Sequence, residues 1–356
     1  MILKECFGDD FIKSKAGNNI EKKKIYEKVV YAFCLLEKLA KLDIDFVFKG
    51  GTSLMLLLDE FNRFSIDIDI LMEKSFKANI DDKILSLNDD VFLKIEPDER
   101  RMTEIIKKHY KFYYKSIYSK DDCLSYILLD IVFDDLKYNG LRVVTIESNF
   151  VKTSDPLLKV KIPSIDEMIG DKLTAFAPKT IGILYKQRSA LFSKNIEIIK
   201  QLYDVSKLMN KISNINTVKS TYCKVANIQR KNRLLDVNNE ECLNDSINAC
   251  KLIISEGKVG GTTEEYNQLK KGYEGFKNFI VGKFEYSDFI KCAVRVYILC
   301  IKLLYNQEFT EEEKPKNCFI GRRSKLIMMS VGKGLYEELM KAIYVENNYI
   351  LDMEVS

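Results

Sequence analysis

The periodicity of the apolar residues changes near Pro163, and this change is the strongest constraint on the fold. Before Pro163, several short segments show the two-residue alternation or the β-branched and aromatic content that is typical of strands. After it, apolar residues recur at helical spacing and strand signals are almost absent. The chain is therefore predicted to be α+β, with an α/β lobe over residues 1–163 and an all-helical lobe over residues 164–356.

The same patterns give approximate bounds for the elements. The predicted strands are 46–49, 65–71, 91–97, 109–118, 125–133, 141–147 and 157–163. The predicted helices of the first lobe are 19–42, 52–61 and 74–90. Ser164 followed by Glu167 has the spacing of a capping box, which predicts a helix from about 165 to 177. Further helices are predicted at 197–212, 247–257, 264–282, 286–305 and 333–345.

Composition favours a folded protein without a membrane segment. The chain of 356 residues is 46% hydrophobic and 30% charged, which is enough apolar material for a core. Its longest apolar runs, such as VVYAFCLL, are shorter than the roughly 20 residues that span a bilayer. The N-terminal residues lack the charged-then-apolar pattern of a secretory signal. We expect a soluble cytoplasmic protein with no membrane partner.

Cysteine and histidine usage excludes several chemistries. The nine cysteines form no CxxC pair, and His109 is the only histidine. Zinc sites and a disulfide framework are therefore not favoured, and the free thiols fit a reducing compartment. A single histidine also disfavours nucleophile–histidine dyads. Chemistry based on carboxylates and a metal ion remains compatible with this composition.

Three aspartates have the pattern of a metal platform. Asp67 and Asp69 alternate along a predicted strand, so their side chains share one face. Asp130 interrupts the apolar strand YILLDIVF, where an aspartate without a partner would be costly. If the two strands are neighbours, the three carboxylates converge. Mg²⁺ prefers one or two carboxylates together with phosphate oxygens and water. The pattern therefore predicts phosphoryl chemistry by a two-metal mechanism, in which the two ions clamp the attacking and leaving oxygens.

A glycine-containing turn precedes this strand. Gly50 and Gly51 would let the backbone approach a ligand closely. Thr52 and Ser53 follow at a predicted helix N-terminus, where free N–H groups favour anions. A nucleoside triphosphate (NTP) with Mg²⁺ or Mn²⁺ would satisfy both the turn and the aspartates. Each feature alone has a simpler interpretation: an ordinary turn, a solvated strand face, or an Asp130 paired with a lysine.

The ordered motifs resemble a known family. They are KGGTSL at 49–54, RFSIDIDI at 63–70, the strand around Asp130, IDEMIGDKLTAF at 165–176 and KQLYDVSKL at 200–208. Together they resemble the AbiEii/AbiGii-type toxins of type IV toxin–antitoxin and abortive-infection systems, which are DNA-polymerase-beta-like nucleotidyltransferases. The resemblance implies a polymerase-beta-like lobe with a mixed sheet, whose active site is completed by residues 164–210.

The resemblance also implies an activity. Such an enzyme moves a nucleoside monophosphate from an NTP to an acceptor, in some relatives the 3′ end of tRNA, and so inhibits growth in phage defence. A separately encoded antitoxin, or a gene-level neutraliser, normally counteracts the toxin.

Residue roles follow from the same resemblance. Asp67, Asp69 and Asp130 would bind metal, and Asp130 would also help to activate the acceptor hydroxyl. Lys172 would contact phosphate, and Asp204 would position Lys172 or a substrate group. The predicted nucleotide-binding residues are Gly50, Gly51, Thr52, Ser53, Arg63, Ser65 and Lys172.

Two local features leave alternatives open. Arg63 and Ser65 could reach a phosphate or base, or the arginine could simply hold a turn. The family's arginine–aspartate pair before the last acidic motif position reads Lys200–Gln201 here, and an ammonium cannot make the bidentate fork of arginine.

The net charge of +4 is compatible with an RNA acceptor but does not by itself argue for one. The local placement of charge must therefore carry that argument. The candidate contacts are Arg100–Arg101 with Lys107–Lys108, Arg230–Arg233 and Arg322–Lys325, and solvated faces are the alternative interpretation. Transfer to a protein side chain, or to a small molecule such as an aminoglycoside, would fit the same fold. A non-catalytic binding protein is the remaining alternative, which the intact aspartates disfavour.

Overall fold

The computed structural model describes residues 1–42, 44–59, 61–98, 106–119, 123–134, 138–185, 194–305 and 319–355. The chain forms two compact units. The first comprises Met1–Ser164 and Asn278–Gly282, and the second comprises Ile165–Lys277 and Lys283–Ser356. The α+β prediction is confirmed, with the sheet in the first unit.

The first unit is built on a seven-stranded mixed sheet with the order β3-β4-β5-β2-β1-β7-β6. Its strands are β1 (Val47–Lys49), β2 (Ile68–Met72), β3 (Lys94–Pro97), β4 (Ile106–Lys115), β5 (Leu124–Phe133), β6 (Leu141–Thr145) and β7 (Lys159–Pro163). Its helices are α1 (Asp9–Ala16), α2 (Ile20–Lys41), α3 (Gly50–Leu57) and α4 (Ile80–Leu85). The pairs β2–β5 and β1–β7 are parallel, and the other pairs are antiparallel.

Alternation along the strands separates a buried face of the sheet from a more open one. On β4 and β5, the buried face carries Tyr110, Phe112, Ile127 and Leu129, each at most 1% exposed. Helix α2 covers this face, where the ring of Tyr31 stacks on Tyr114 with centroids 3.6 Å apart. The opposite face carries the intervening residues of both strands, and His109, Lys111 and Asp130 on this face are half-buried.

Several local predictions differ from the structure, among them two helices and one strand. The predicted helix 74–90 is a 3₁₀ turn over Lys74–Asn79 followed by the short helix α4. Strand β2 begins at Ile68, so Asp67 immediately precedes the strand. Of the predicted helix 264–282, only the part up to Phe276 is α-helical in the structure. Residues 278–282 belong to the first unit, because Phe64 N–H donates to Phe279 O and Val281 N–H donates to Asn62 O.

The second unit is helical throughout its described residues. Its helices are α5 (Ile165–Ala175), α6 (Asn195–Leu208), α7 (Ile215–Arg233), α8 (Asn239–Ile254), α9 (Thr263–Phe276), α10 (Tyr286–Tyr305), α11 (Ser324–Val331) and α12 (Lys333–Val355). Helix α10 is the most apolar of the long ones and is largely buried. Capping boxes begin α8 at Asn238 and α9 at Thr262. Across the described residues, no helix is both long enough and apolar enough to cross a membrane.

Candidate active site

A row of four polar residues crosses the sheet of the first unit. His109 on β4 pairs in register with Asp130 on β5, and Asp130 pairs with Asp69 on β2. Asp69 in turn pairs with Lys49 on β1. Residues in register on neighbouring strands project to the same face, so the four side chains form one transverse row. Strands β2 and β5 are therefore neighbours, as the predicted convergence of the carboxylates requires. Their register places two of the three predicted aspartates, Asp69 and Asp130, side by side.

A hydrogen-bonding contact with His109 is made at one end of this row. Like charges directly opposite each other destabilise a sheet. Here the Nδ1 atom of His109 lies 2.6 Å from Oδ1 of Asp130, and Lys49 flanks Asp69 on the other side. Lys49 Nζ lies 3.4 Å from the Tyr138 hydroxyl, and it is the strand register that places Lys49 beside Asp69. A metal ion beside these two carboxylates stays a prediction.

Asp67 lies beside the row, just before β2. Its backbone carbonyl accepts a 2.6 Å hydrogen bond from Thr52 Oγ1. Lys28 on α2 interacts electrostatically with the Asp67 carboxylate. Burial lowers the pKa of the Lys28 ammonium, and the negative charges of Asp67 and Glu27 oppose this shift. The Lys28 Nζ also lies 4.9 Å from the ring centroid of Tyr126. Lys28 is therefore a neighbour of the site.

The donor set fits a divalent metal ion only in part. Within the described ranges, no group of three or more His, Cys, Asp and Glu side chains is arranged to hold a metal ion. Two adjacent carboxylates, Asp69 and Asp130, are present, and oxygen ligands suit Mg²⁺ or Mn²⁺. The arrangement fits an ion that brings phosphate oxygens and water as its remaining ligands. It does not provide a preformed three-carboxylate cage.

Both glycines of the KGGTSL segment are required by side chains of the protein itself. Gly50 has a φ of +80°, and a Cβ atom there would collide with the carboxylate of Asp69. A Cβ atom on Gly51 would collide with the guanidinium of Arg63 and lie 2.6 Å from Ser65 Oγ. The space beside the two glycines, which the sequence assigns to a ligand, is thus occupied by the side chains of Asp69, Arg63 and Ser65. Ligand contacts of the two glycines stay predictions.

The hydroxyls of Thr52 and Ser53 are used inside the protein. Both residues are fully buried. Thr52 Oγ1 donates to the carbonyl of Asp67, and Ser53 Oγ donates to Gly50 O at 2.8 Å. Thr52 thereby ties α3 to the residue before β2, and contact of Thr52 and Ser53 with a triphosphate stays a prediction. The N–H groups of the first turn of α3 remain candidate anion donors.

Arg63 and Ser65 are also buried, at 2% and 8% exposure. Arg63 Nη1 donates to Phe64 O at 3.0 Å, and its guanidinium lies 5.4 Å from the Phe61 ring centroid. Of the two interpretations of Arg63, the structure favours the arginine that holds a turn, although it does so from a buried position. Contact of these two side chains with a phosphate or base stays a prediction.

The second unit brings the remaining two predicted residues together. Lys172 on α5 and Asp204 on α6 form an ion pair, with Nζ 2.8 Å from Oδ2. Asp204 has no exposed surface, and Lys172 is 9% exposed. Nearby, the Lys200 ammonium lies 2.7 Å from Glu197 on the same helix. The phosphate contact of Lys172 stays a prediction.

The basic clusters proposed for RNA are mostly engaged in the fold. Arg230 donates to Val237 O, Arg233 donates to Gly182 O at 2.9 Å, and Arg323 pairs with Glu256 at 2.6 Å. In the first unit, Lys108 pairs with Asp81. The residues Arg100 and Arg101 and the side chain of Arg322 lie outside the described residues. These contacts weaken the clusters as nucleic-acid sites, because their cations already stabilise the protein itself.

Comparison with known proteins identifies the family. The model of the family described as nucleotidyl transferase AbiEii toxin, type IV toxin–antitoxin system, matches residues 34–279, which is more than half of the chain. A search of curated proteins gives no significant match.

Solved structures provide weaker similarity. JHP933 from Helicobacter pylori is 15% identical, with a TM-score of 0.41, and the alignment covers 79% of this chain and 91% of that one. A second H. pylori protein, provisionally assigned as a nucleotidyltransferase, is 16% identical, with a TM-score of 0.42 and coverages of 79% and 94%. The family match carries the assignment: this chain belongs to the AbiEii nucleotidyltransferase toxin family of type IV toxin–antitoxin systems.

Proposed function

We propose that the chain transfers a nucleoside monophosphate from an NTP to an RNA acceptor, with the 3′ end of tRNA as the favoured target. One observation carries the proposal: Asp69 and Asp130 lie in register on adjacent parallel strands, within a chain of this toxin family. Transfer to tRNA would inhibit translation in the cytoplasm and so act in phage defence. A cognate antitoxin would counteract it.

The reaction is a displacement at the α-phosphorus of the NTP. The acceptor hydroxyl oxygen forms the new bond to phosphorus, the bond to the bridging oxygen breaks, and pyrophosphate leaves with the electron pair. Asp130 accepts the hydroxyl proton directly or through water. Asp69 and Asp130, with Asp67 beside them, would hold Mg²⁺ or Mn²⁺ together with the triphosphate. When bound, the metal ion would neutralise phosphate charge and orient the reacting oxygens.

Other residues of the first unit orient these groups. His109 holds the Asp130 end of the carboxylate row. Thr52 fixes the carbonyl of Asp67, and the glycine at position 50 leaves room for the Asp69 carboxylate. In the second unit, Asp204 holds the Lys172 ammonium, which by the family resemblance would contact phosphate. The chain thus supplies positioning and charge, which dominate phosphoryl-transfer catalysis.

The acceptor is proposed to be RNA because related toxins act on tRNA and the helical unit is large. A protein side chain or a small molecule would require the same carboxylate row. The nature of the labelled product separates these possibilities, because each acceptor class has a different mobility and nuclease or protease sensitivity.

The test is a labelling assay with purified protein, Mg²⁺, total tRNA and each α-³²P-labelled NTP in turn. Label in RNA with one NTP, lost in Asp67→Asn/Asp69→Asn, is the expected result. Label in protein and not in RNA would show that the acceptor is a protein. Full labelling by the double variant would refute the proposed site. Silence of the wild type with every NTP would refute RNA as acceptor.

A further inference from the structure

The only histidine of the chain lies at the end of the carboxylate row. His109 is on β4, on the same face of the sheet as Asp130. The side chains of His109 and Asp130 are 14% and 26% exposed, and the contact joins Nδ1 to Oδ1 at 2.6 Å. None of the sequence motifs that identify the family in this chain contains His109.

We propose that His109 is a positioning residue that holds the carboxylate of Asp130 for nucleotidyl transfer. The inference rests on the proposed function, since it gives His109 a role through Asp130. An aspartate side chain has two rotatable bonds, and Asp130 faces the like charge of Asp69 in the next strand. A hydrogen bond from His109 fixes one oxygen of Asp130, so the carboxylate keeps one orientation beside Asp69.

Nδ1 of His109 can donate this hydrogen bond to Asp130 whether the imidazole is neutral or protonated. In the neutral ring, a proton on Nδ1 donates to the carboxylate, and the imidazolium carries the same Nδ1 proton. The hydrogen bond therefore assigns the neutral ring to the Nδ1–H tautomer and leaves Nε2 as its acceptor nitrogen. Hydrogen bonds to ligating or reacting carboxylates are typical of outer-shell residues, whose loss costs about 10–100-fold in activity or metal affinity.

A single histidine makes this geometry directly measurable. With ¹⁵N-labelled histidine, long-range ¹H–¹⁵N spectra of the intact protein contain one imidazole, and the nitrogen shifts report its tautomer. The expected result at a pH where the ring is neutral is Nδ1–H, with a change in the Nδ1 shift in Asp130→Ala. An Nε2–H tautomer, or a spectrum unchanged by Asp130→Ala, would overturn the proposal. This measurement does not require any transferase activity.

Kinetics then separate positioning from general stabilisation. His109→Ala is expected to lower kcat for labelling by about 10–100-fold, with the KM for the NTP changed less than about threefold. His109→Asn places an amide donor near the position of Nδ1 and is expected to recover kcat to within about fivefold of the wild type. His109→Gln places its donor near Nε2 and is expected to remain as impaired as His109→Ala.

The control is Tyr113→Phe, on the same strand and face as His109, which is expected to label tRNA like the wild type. Thermal unfolding of each variant shows whether a loss of activity reflects loss of the fold. Wild-type-like kcat in His109→Ala, or equal defects in the Asn and Gln variants, would overturn the role of His109 while leaving the proposed function intact. A wild type without transferase activity would instead refute the proposed function and this role with it.

Discussion

Gly50→Ala gives the sharpest test of how the turn and the carboxylate row are coupled. Gly50 has a φ of +80°, so alanine there adopts a left-handed conformation that costs about 1–2 kcal/mol. Alanine also lowers the entropy of the unfolded chain, which returns about 0.4–1 kcal/mol. The conformational part of the loss in unfolding free energy is therefore about 1 kcal/mol.

The second effect of the substitution is steric and falls on Asp69. The new Cβ atom would overlap the carboxylate and lie 2.8 Å from Cγ and 2.9 Å from Cβ of Asp69. Rotating the carboxylate away relieves the first overlap but moves it out of the row beside Asp130. Misplacement of a reacting group by about 1 Å can cost 10²-fold in rate, so labelling should fall by about 100-fold or more.

Gly282→Ala is the matched control. Gly282 belongs to the same unit and has a φ of +84°, but no atom lies within 4 Å of its added Cβ. The control should share the loss of about 1 kcal/mol, a fall in Tm of about 2–4 °C for a unit of this size, and keep its labelling activity. Differential scanning calorimetry and the tRNA-labelling assay measure the two effects. Wild-type labelling by Gly50→Ala would refute the argument that Asp69 must occupy its observed position.

Three further predictions concern other parts of the chain. Asp204→Asn leaves the buried ammonium of Lys172 without its carboxylate and should lower the unfolding free energy by about 3 kcal/mol in urea titrations. Arg233→Ala removes the donor to the carbonyls of Thr180 and Gly182, so it should cost about 1–3 kcal/mol in the same titrations without changing the KM for tRNA. EDTA should abolish labelling, and added Mg²⁺ or Mn²⁺ should restore it, while Tm changes by less than about 1 °C.

The sheet could be predicted from the sequence because its signal is local. Two-residue alternation, or a high content of β-branched and aromatic residues, predicts the strands, and the change to helical periodicity predicts the separation between mixed and helical parts. Helix α7 was missed because few apolar residues mark its face, and only five of its residues are buried. Helical periodicity predicts a helix over residues 278–282. In the structure, the hydrogen bonds of this segment go instead to residues 62–64, more than 200 positions away, which periodicity cannot show.

The candidate site was predictable in its carboxylates but not in their partners. Asp67, Asp69 and Asp130 are visible because charged residues interrupt or alternate with apolar strand residues. Finding His109 and Lys49 requires the pairing register, which depends on how distant strands align. Alternation along β4 would place His109 on the polar face, but nothing local indicates that Asp130 lies opposite it.

Most residues of the KGGTSL and RFSIDIDI segments make contacts inside the protein that support the backbone around Asp67 and Asp69. Both glycines leave room for side chains of the protein, both hydroxyls donate to backbone carbonyls, and the arginine packs against the turn. A substitution in these supporting residues changes the backbone and should lower stability and activity together. A substitution at Asp69 or Asp130, on the open face of the sheet, should lower activity with little loss of stability. The family motif in this chain therefore combines the two candidate metal-binding positions, Asp67 and Asp69, with several positions that make contacts inside the protein.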